Sequence, residues 1–255
     1  MSGNVDVNAY IGEYPFRATP HPDPDALVRV MDREQIAEAW VGSLPGAWHR
    51  DPSHANDALL ERLAPHAQRL RAVPAIRPDW PEWRDSFKRW RDRNVPAVRA
   101  YPVHWELGTG DARLTALAAE CAGARVALIL TVRFEDLRQR HSLDVAYDLP
   151  AATVRELARA DTGARILVNA ASRDMIEEVH WGLTPNERSL LFWDISWIWG
   201  PPEDHLAHLF RTIGSEQFVF GTAWPLRLAQ TPRANLALLP DELRTQPLCD
   251  PRRWS

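Results

Sequence analysis

The chain has 255 residues, 45% of them apolar and 25% charged, with a formal charge of −4. That is enough chain for one large barrel or two small domains with a core that needs no disulfides, and the acidic balance gives no electrostatic support to a nucleic-acid partner. Lys88 is the only lysine among 30 basic residues and falls within a helical pattern, which leaves no plausible lysine nucleophile. Two cysteines, Cys121 and Cys249, do not make a disulfide framework. The N-terminus lacks a basic and then apolar leader, and no apolar run reaches the ~18 residues of a membrane span. A cytoplasmic protein with no membrane partner is therefore expected.

Strand-like runs rich in Val, Ile and Leu alternate with amphipathic patterns along the chain. In order, the expected strands are 5–11, 37–43, 71–76, 97–102, 126–133, 165–170, 190–195 and 218–221. Such short apolar runs suit strands covered on both faces. The expected helices are 25–35, 56–68, 80–91, 112–122, 151–160, 173–181, 203–213 and 229–239, with apolar residues near i, i+3 and i+4. Asp23-Pro24, Pro81-Glu82 and Pro201-Pro202 are helix start signals. Eight strands and eight helices in alternation predict a single-domain (β/α)8 TIM barrel of class α/β. An open doubly wound sheet is the rival, but Tyr10-Ile11-Gly12-Glu13-Tyr14-Pro15 is not the Gly-rich turn such a sheet usually carries. The Pro- and Arg-rich tail 245–255 is expected on the surface.

Two motifs stand at the chain's ends. Asp6-Val7-Asn8-Ala9-Tyr10-Ile11-Gly12 resembles the Asp-x-His-x-His-x-Gly first strand of the amidohydrolase-related family, with Asn8 and Tyr10 at the His positions. Gly221-Thr222-Ala223-Trp224-Pro225 is similar to that family's last-strand Gly-Ser/Thr-Asp-aromatic-Pro, with Ala223 at the Asp. The resemblance implies a barrel with its site at the C-terminal strand ends, and hydrolysis, hydration or decarboxylation of a small carboxylated molecule by a metal-bound water. The family's two further His fall near Thr131-Val132-Arg133 and at Asn169, and neither is kept. Asn, Tyr, Arg and Ala cannot replace a zinc ligand set, so neither metal nor other cofactor is expected.

The residues at the barrel mouth are then the candidates. Arg77, Arg99 and Arg133 end three consecutive strands and can form a socket for a carboxylate; alternatively each pairs with a nearby acid such as Asp79, Glu106 or Asp136. His49, His104 and His141 lie in successive loops where a general base would sit, or are ordinary surface or capping histidines. No His-x-His spacing joins them to Asp194 as a substitute metal site. Tyr10 and Asp194 would assist a histidine base, and Arg133 would stand as a fixed cation and oxyanion donor. Asn8 and Asn169 would contact substrate, and Trp197 and Trp224 would line a slot for a flat ring. The twelve tryptophans can equally pack beneath loops or line a homodimer surface. Two functional readings follow: a metal-independent amidohydrolase-like enzyme for a small anionic, aromatic substrate, or a catalytically inactive homologue kept as a ligand-binding or partner subunit.

Overall fold

The computed structural model describes residues 3–254. The strands are β1 (Asn4–Ile11), β2 (Ile36–Ser43), β3 (Leu70–Ala72), β4 (Ala97–Ala100), β5 (Ala127–Thr131), β6 (Ile166–Asn169), β7 (Leu191–Asp194) and β8 (Phe218–Val219). Between them run α1 (Pro24–Glu34), α2 (Ser53–Leu63), α3 (Trp83–Arg91), α4 (Ala112–Ala124), α5 (Ala151–Arg159), α6 (Arg173–Trp181) and α7 (His205–Thr212), followed by α8 (Gln230–Ala237) and α9 (Asp241–Arg244). Caps explain several of the starts. The Asp23 carboxylate accepts from the Ala26 amide (2.8 Å) with Pro24 in the first turn, and Asp111 does the same for α4.

All ladders are parallel: β1-β2-β3 form one run and β4 through β8 another. Backbone hydrogen bonds join the two runs at both seams. At the first, Ile76 N donates to Arg99 O (2.9 Å) and Arg99 N to Pro74 O (2.8 Å). At the second, Val7 N donates to Phe220 O (3.0 Å), Tyr10 N to Trp224 O (2.9 Å) and Ala223 N to Asn8 O (2.7 Å). The eight strands thus form a TIM barrel, as the alternation predicted. β3 stops short of the expected 71–76 because Pro74 has no N–H to give a ladder. Likewise α2 ends at Leu63, ahead of Pro65, rather than reaching 68.

The lower lumen is apolar, filled by Val5, Val7, Trp40, Val73, Ile129, Leu167 and Val219. The tail is not simply a surface strip. It turns under the barrel, where Trp254 is buried against Trp40 and Phe192 (ring centroids 6.0 and 4.5 Å). Above the apolar layer the lumen becomes polar, and that layer positions the candidate site. Among the described residues no helix is long and apolar enough to cross a membrane.

Candidate functional site

Arg99 of β4 is fully buried at the centre of the polar layer. Its Nη1 donates to Asn8 Oδ1 (3.2 Å), to the Tyr10 hydroxyl and to Thr131 Oγ1 (3.4 Å), and Nη2 to the Val7 carbonyl (3.4 Å). These bonds cross from β4 to β1 and β5, so the side chains of Asn8 and Tyr10 face the lumen. A register shift in β1 between Asp6 and Ala9 accompanies the inward Val7 carbonyl, which also accepts from Asn169 Nδ2 (3.4 Å). Asn8 Nδ2 in turn donates to Asp194 Oδ2 (2.8 Å) and Ser196 Oγ (3.3 Å), and the Ala170 amide donates to Asp194 Oδ1 (2.8 Å). Burial pushes the Asp194 carboxyl above the usual carboxylate range, against the pull of these donors and of Arg99. Burial also raises the Tyr10 phenol, with Arg99 opposing it.

Two glycines make room for this layer. A Cβ on Gly221 would lie 2.5 Å from Asp194 Oδ2 and 3.1 Å from Asn8 Cβ, and one on Gly42 3.2 Å from Arg99 Nε. Beside them Asp6 ties β1 to the end of β8, accepting from Thr222 Oγ1 (2.6 Å) and from the amides of Thr222 and Asn8 (both 3.0 Å). Ala223 retains a left-handed backbone (φ 56°), a conformation Asp tolerates better than Ala.

The polar layer does not suit a divalent metal. A guanidinium lies among Asn8, Tyr10 and Thr131, where it would repel a second cation, and both ends of the Asn8 amide are already bonded. Among the described residues no three His, Cys, Asp or Glu side chains cluster as a metal site would need.

Above this layer the mouth divides into a plug and a rim. Phe134, buried on the loop after β5, is the plug. Around it stand Tyr10, Tyr14, Trp48, Tyr101 and His104, with ring centroids 4.8 to 6.2 Å from its own. Desolvation among these rings pushes the His104 imidazole down to about 4, so it is neutral at ordinary pH, and its Nε2 has no hydrogen-bond partner among the described residues. His141 lies on the exposed loop, stacks on Phe16 (5.8 Å) and accepts from the Leu143 amide (3.1 Å). His49 is exposed after β2. The three histidines therefore make no shared site with Asp194.

The three strand-end arginines also separate. Arg77 makes a two-pronged ion pair with Asp79 (2.9 and 3.0 Å). Arg99 is spent inside the lumen, and it rather than Arg133 is the fixed cation of the interior. Arg133 is at the rim, paired with Asp148 (2.8 Å), which Arg140 also binds (2.5 Å). Arg133 and Arg227 both stack on the buried Trp197 indole, 5.3 and 4.3 Å from its centroid. Trp224 is buried and holds the seam to Tyr10 through its backbone. Arg227, which no sequence motif singled out, makes no side-chain hydrogen bond or ion pair among the described residues. Desolvation lowers its pKa, opposed by the negative charges of Asp194, Asp136 and Glu135. Its sequence signal was only proximity: it stands two residues past the last-strand motif. Rim and plug together offer a partly desolvated cation on an aromatic face, a pairing that suits a flat carboxylate.

No protein-family model matches the sequence. A segment of 60 residues is 43% identical to two proteins of Nitrobacter hamburgensis named as probable inorganic carbon transporter subunits. The match covers 22% of this chain and 6% of each of theirs. Solved structures match over nearly the whole chain. A 2,6-dihydroxybenzoate decarboxylase from Rhizobium shares 13% identity with a TM-score of 0.70, covering 99% of this chain and 98% of its own. A 5-carboxyvanillate decarboxylase from Sphingomonas paucimobilis gives 11% and 0.66 over 96% of both chains. A 2-pyrone-4,6-dicarboxylic acid hydrolase from Acinetobacter baumannii, named as probable, gives 10% and 0.61, covering 96% and 98%. The chain thus has the TIM-barrel fold of the amidohydrolase-type decarboxylases and hydrolases, with an arginine among the positions where the first-strand resemblance would place metal ligands.

Proposed function

We propose that this protein is a metal-independent barrel of the amidohydrolase type that binds a small carboxylated aromatic molecule at the rim formed by Arg133, Trp197 and Arg227. The observation that carries this reading is the uncommitted Arg227 guanidinium on the Trp197 face. An anion there would gain a charge-assisted, partly desolvated contact without breaking an existing pair. The structural neighbours named above act on carboxylated rings, which supports the ligand class. Binding without turnover is favoured over catalysis because the groups that would move protons are closed off: Tyr10 by its bond from Arg99, Asp194 by Asn8 and Ser196, and His104 by burial against the plug. The second reading, hydrolysis or decarboxylation, rests on Asp194, a buried carboxyl pushed toward its protonated form.

The test is calorimetric titration of the metal-free protein with benzoate, 2,6-dihydroxybenzoate and 5-carboxyvanillate, with chromatography of each mixture. Saturable binding with no product supports the first reading, and product formed in the presence of a chelator supports the second. No binding of any carboxylate would refute both.

A further inference from the structure

A second site faces the opposite end of the barrel. A cavity of about 430 Å³ opens beneath the N-terminal ends of β2 to β5, with the tail turn Pro251–Trp254 as one wall. Four arginines from four different elements line it: Arg71 of β3, Arg91 at the end of α3, Arg125 after α4, and Arg252 of the tail. Among the described residues the only carboxylate lining it is Glu38, which accepts from Trp40 Nε1 (2.9 Å). Arg91 and Arg252 have acids beside them, Asp92 and Asp250. Arg71 gives Nη2 to the Asn94 carbonyl (2.8 Å) and has no acid partner among the described residues. The Arg125 side chain makes no hydrogen bond or ion pair among the described residues. Arg91 and Arg125 have a local reason to stand where they do, since a cation complements a helix C-terminus. Arg252 is placed by its two-pronged pair with Asp250, and neither reason extends to Arg71.

Arg91 and Arg252 already hold Asp92 and Asp250, which leaves Arg71 and Arg125 as the two guanidinium groups of this concave surface that an added anion would meet. We infer that this basal cavity is a binding site for a phosphorylated small molecule. Its phosphate would take the forks of Arg71 and Arg125, and its apolar part would rest on Trp254 and Pro251. A phosphate is preferred to a single carboxylate because it carries more charge and can accept from several guanidinium forks at once. The proposal is independent of the rim, which lies at the other end of the barrel. It also gives the tail a role: the buried Trp254 anchors the segment that completes the cavity.

The experiment is thermal denaturation of the full chain at constant ionic strength, adding inorganic pyrophosphate, AMP, citrate or sodium chloride. Pyrophosphate and AMP are expected to raise the midpoint well beyond sodium chloride or citrate. In Arg71→Gln/Arg125→Gln, affinity for both should fall by about tenfold or more, while Arg227→Gln should behave as the parent. Should the double variant fail to fold, Arg125→Gln alone serves, because that side chain holds no contact whose loss could unfold the chain. Stabilisation no greater than sodium chloride gives would overturn the proposal. So would an effect matched by citrate, or one that survives in the Arg125 and Arg71 variants and vanishes in Arg227→Gln.

Discussion

The Arg99 guanidinium lies over the Tyr10 ring, 4.4 Å from its centroid, and also donates to the Tyr10 hydroxyl. One side chain thus covers both the face and the polar end of Tyr10, which stands at the second His position of the first-strand resemblance. The same cation is felt at Asp194, whose carboxyl it pulls down against burial. Removing it would push Asp194 further toward its neutral form and leave Asn8 Oδ1 without its donor. Arg99→Met is therefore expected to lower stability by about 3–5 kcal/mol, as breaking other buried charged arrangements does, measured by urea denaturation. Arg99→Lys should recover only part, because an ammonium cannot reproduce the planar fork. A loss below about 1 kcal/mol in Arg99→Met would mean that the network contributes little to the fold.

The interior cation also governs what histidines introduced at positions 8 and 10 would achieve. In Asn8→His/Tyr10→His, Arg99 would still project between the two imidazoles. That variant is expected to take up no zinc at micromolar concentration by calorimetry, whereas adding Arg99→Ala and Ala223→Asp should permit it. Tight zinc binding by the first variant would show that Arg99 can move aside.

Gly221 tests how closely the polar layer is fitted. A methyl there would overlap Asp194 Oδ2 at 2.5 Å, and both groups sit on backbone fixed by barrel hydrogen bonds. Gly221→Ala is expected to cost about 1–3 kcal/mol through overpacking, read from the thermal midpoint. An unchanged midpoint would mean that Asp194 has room to turn away from Asn8.

The architecture was legible in the sequence because strand and helix periods alternate without interruption, and the expected elements fall within a few residues of those observed. The departures have local causes, such as Pro74 and Pro65. The site was less legible. Which strand-end arginine enters the lumen depends on strand parity, and the register shift in β1 that lets Val7 O meet Arg99 Nη2 leaves no mark in composition. Arg227 follows a turn set by the left-handed Ala223, a conformation that alanine does not advertise. Phe134 reads in sequence as one more apolar residue after β5. Only its neighbours, gathered from four separate loops and strand ends, make it a plug.

Stability should depend on pH through Asp6. Burial pushes its carboxyl up to about 6, above the ~3.9 of an unfolded chain. A carboxyl raised in the folded state binds its proton more tightly there. Its contribution is full below about pH 4 and is lost as pH rises through about 6. Burial shifts Asp194 the same way, whereas Asp136, held well down by Arg138, acts in the opposite sense at lower pH. The difference between parent and Asp6→Asn isolates the first effect. Urea midpoints of the parent should fall relative to those of Asp6→Asn between about pH 4 and pH 6.5. Parallel curves would place the Asp6 pKa in the ordinary range.

The rim separates two arginines that a sequence reading treats alike. Arg133 already holds Asp148 and shares it with Arg140, so Arg133→Met releases a loop contact as well as a charge. Arg227 holds no acid, so Arg227→Gln removes only a cation from the Trp197 face. For binding of 2,6-dihydroxybenzoate by calorimetry, Arg227→Gln should lose about 2–3 kcal/mol, in the range for truncating one partner of a buried charged contact, with an unchanged thermal midpoint. Arg133→Met should lower both affinity and midpoint, and Asp148→Asn should lower the midpoint while leaving affinity close to the parent's. If Arg227→Gln binds as the parent does while Arg133→Met does not, the carboxylate sits between Arg133 and Arg140, and opening of the loop after β5 rather than the Trp197 face governs recognition.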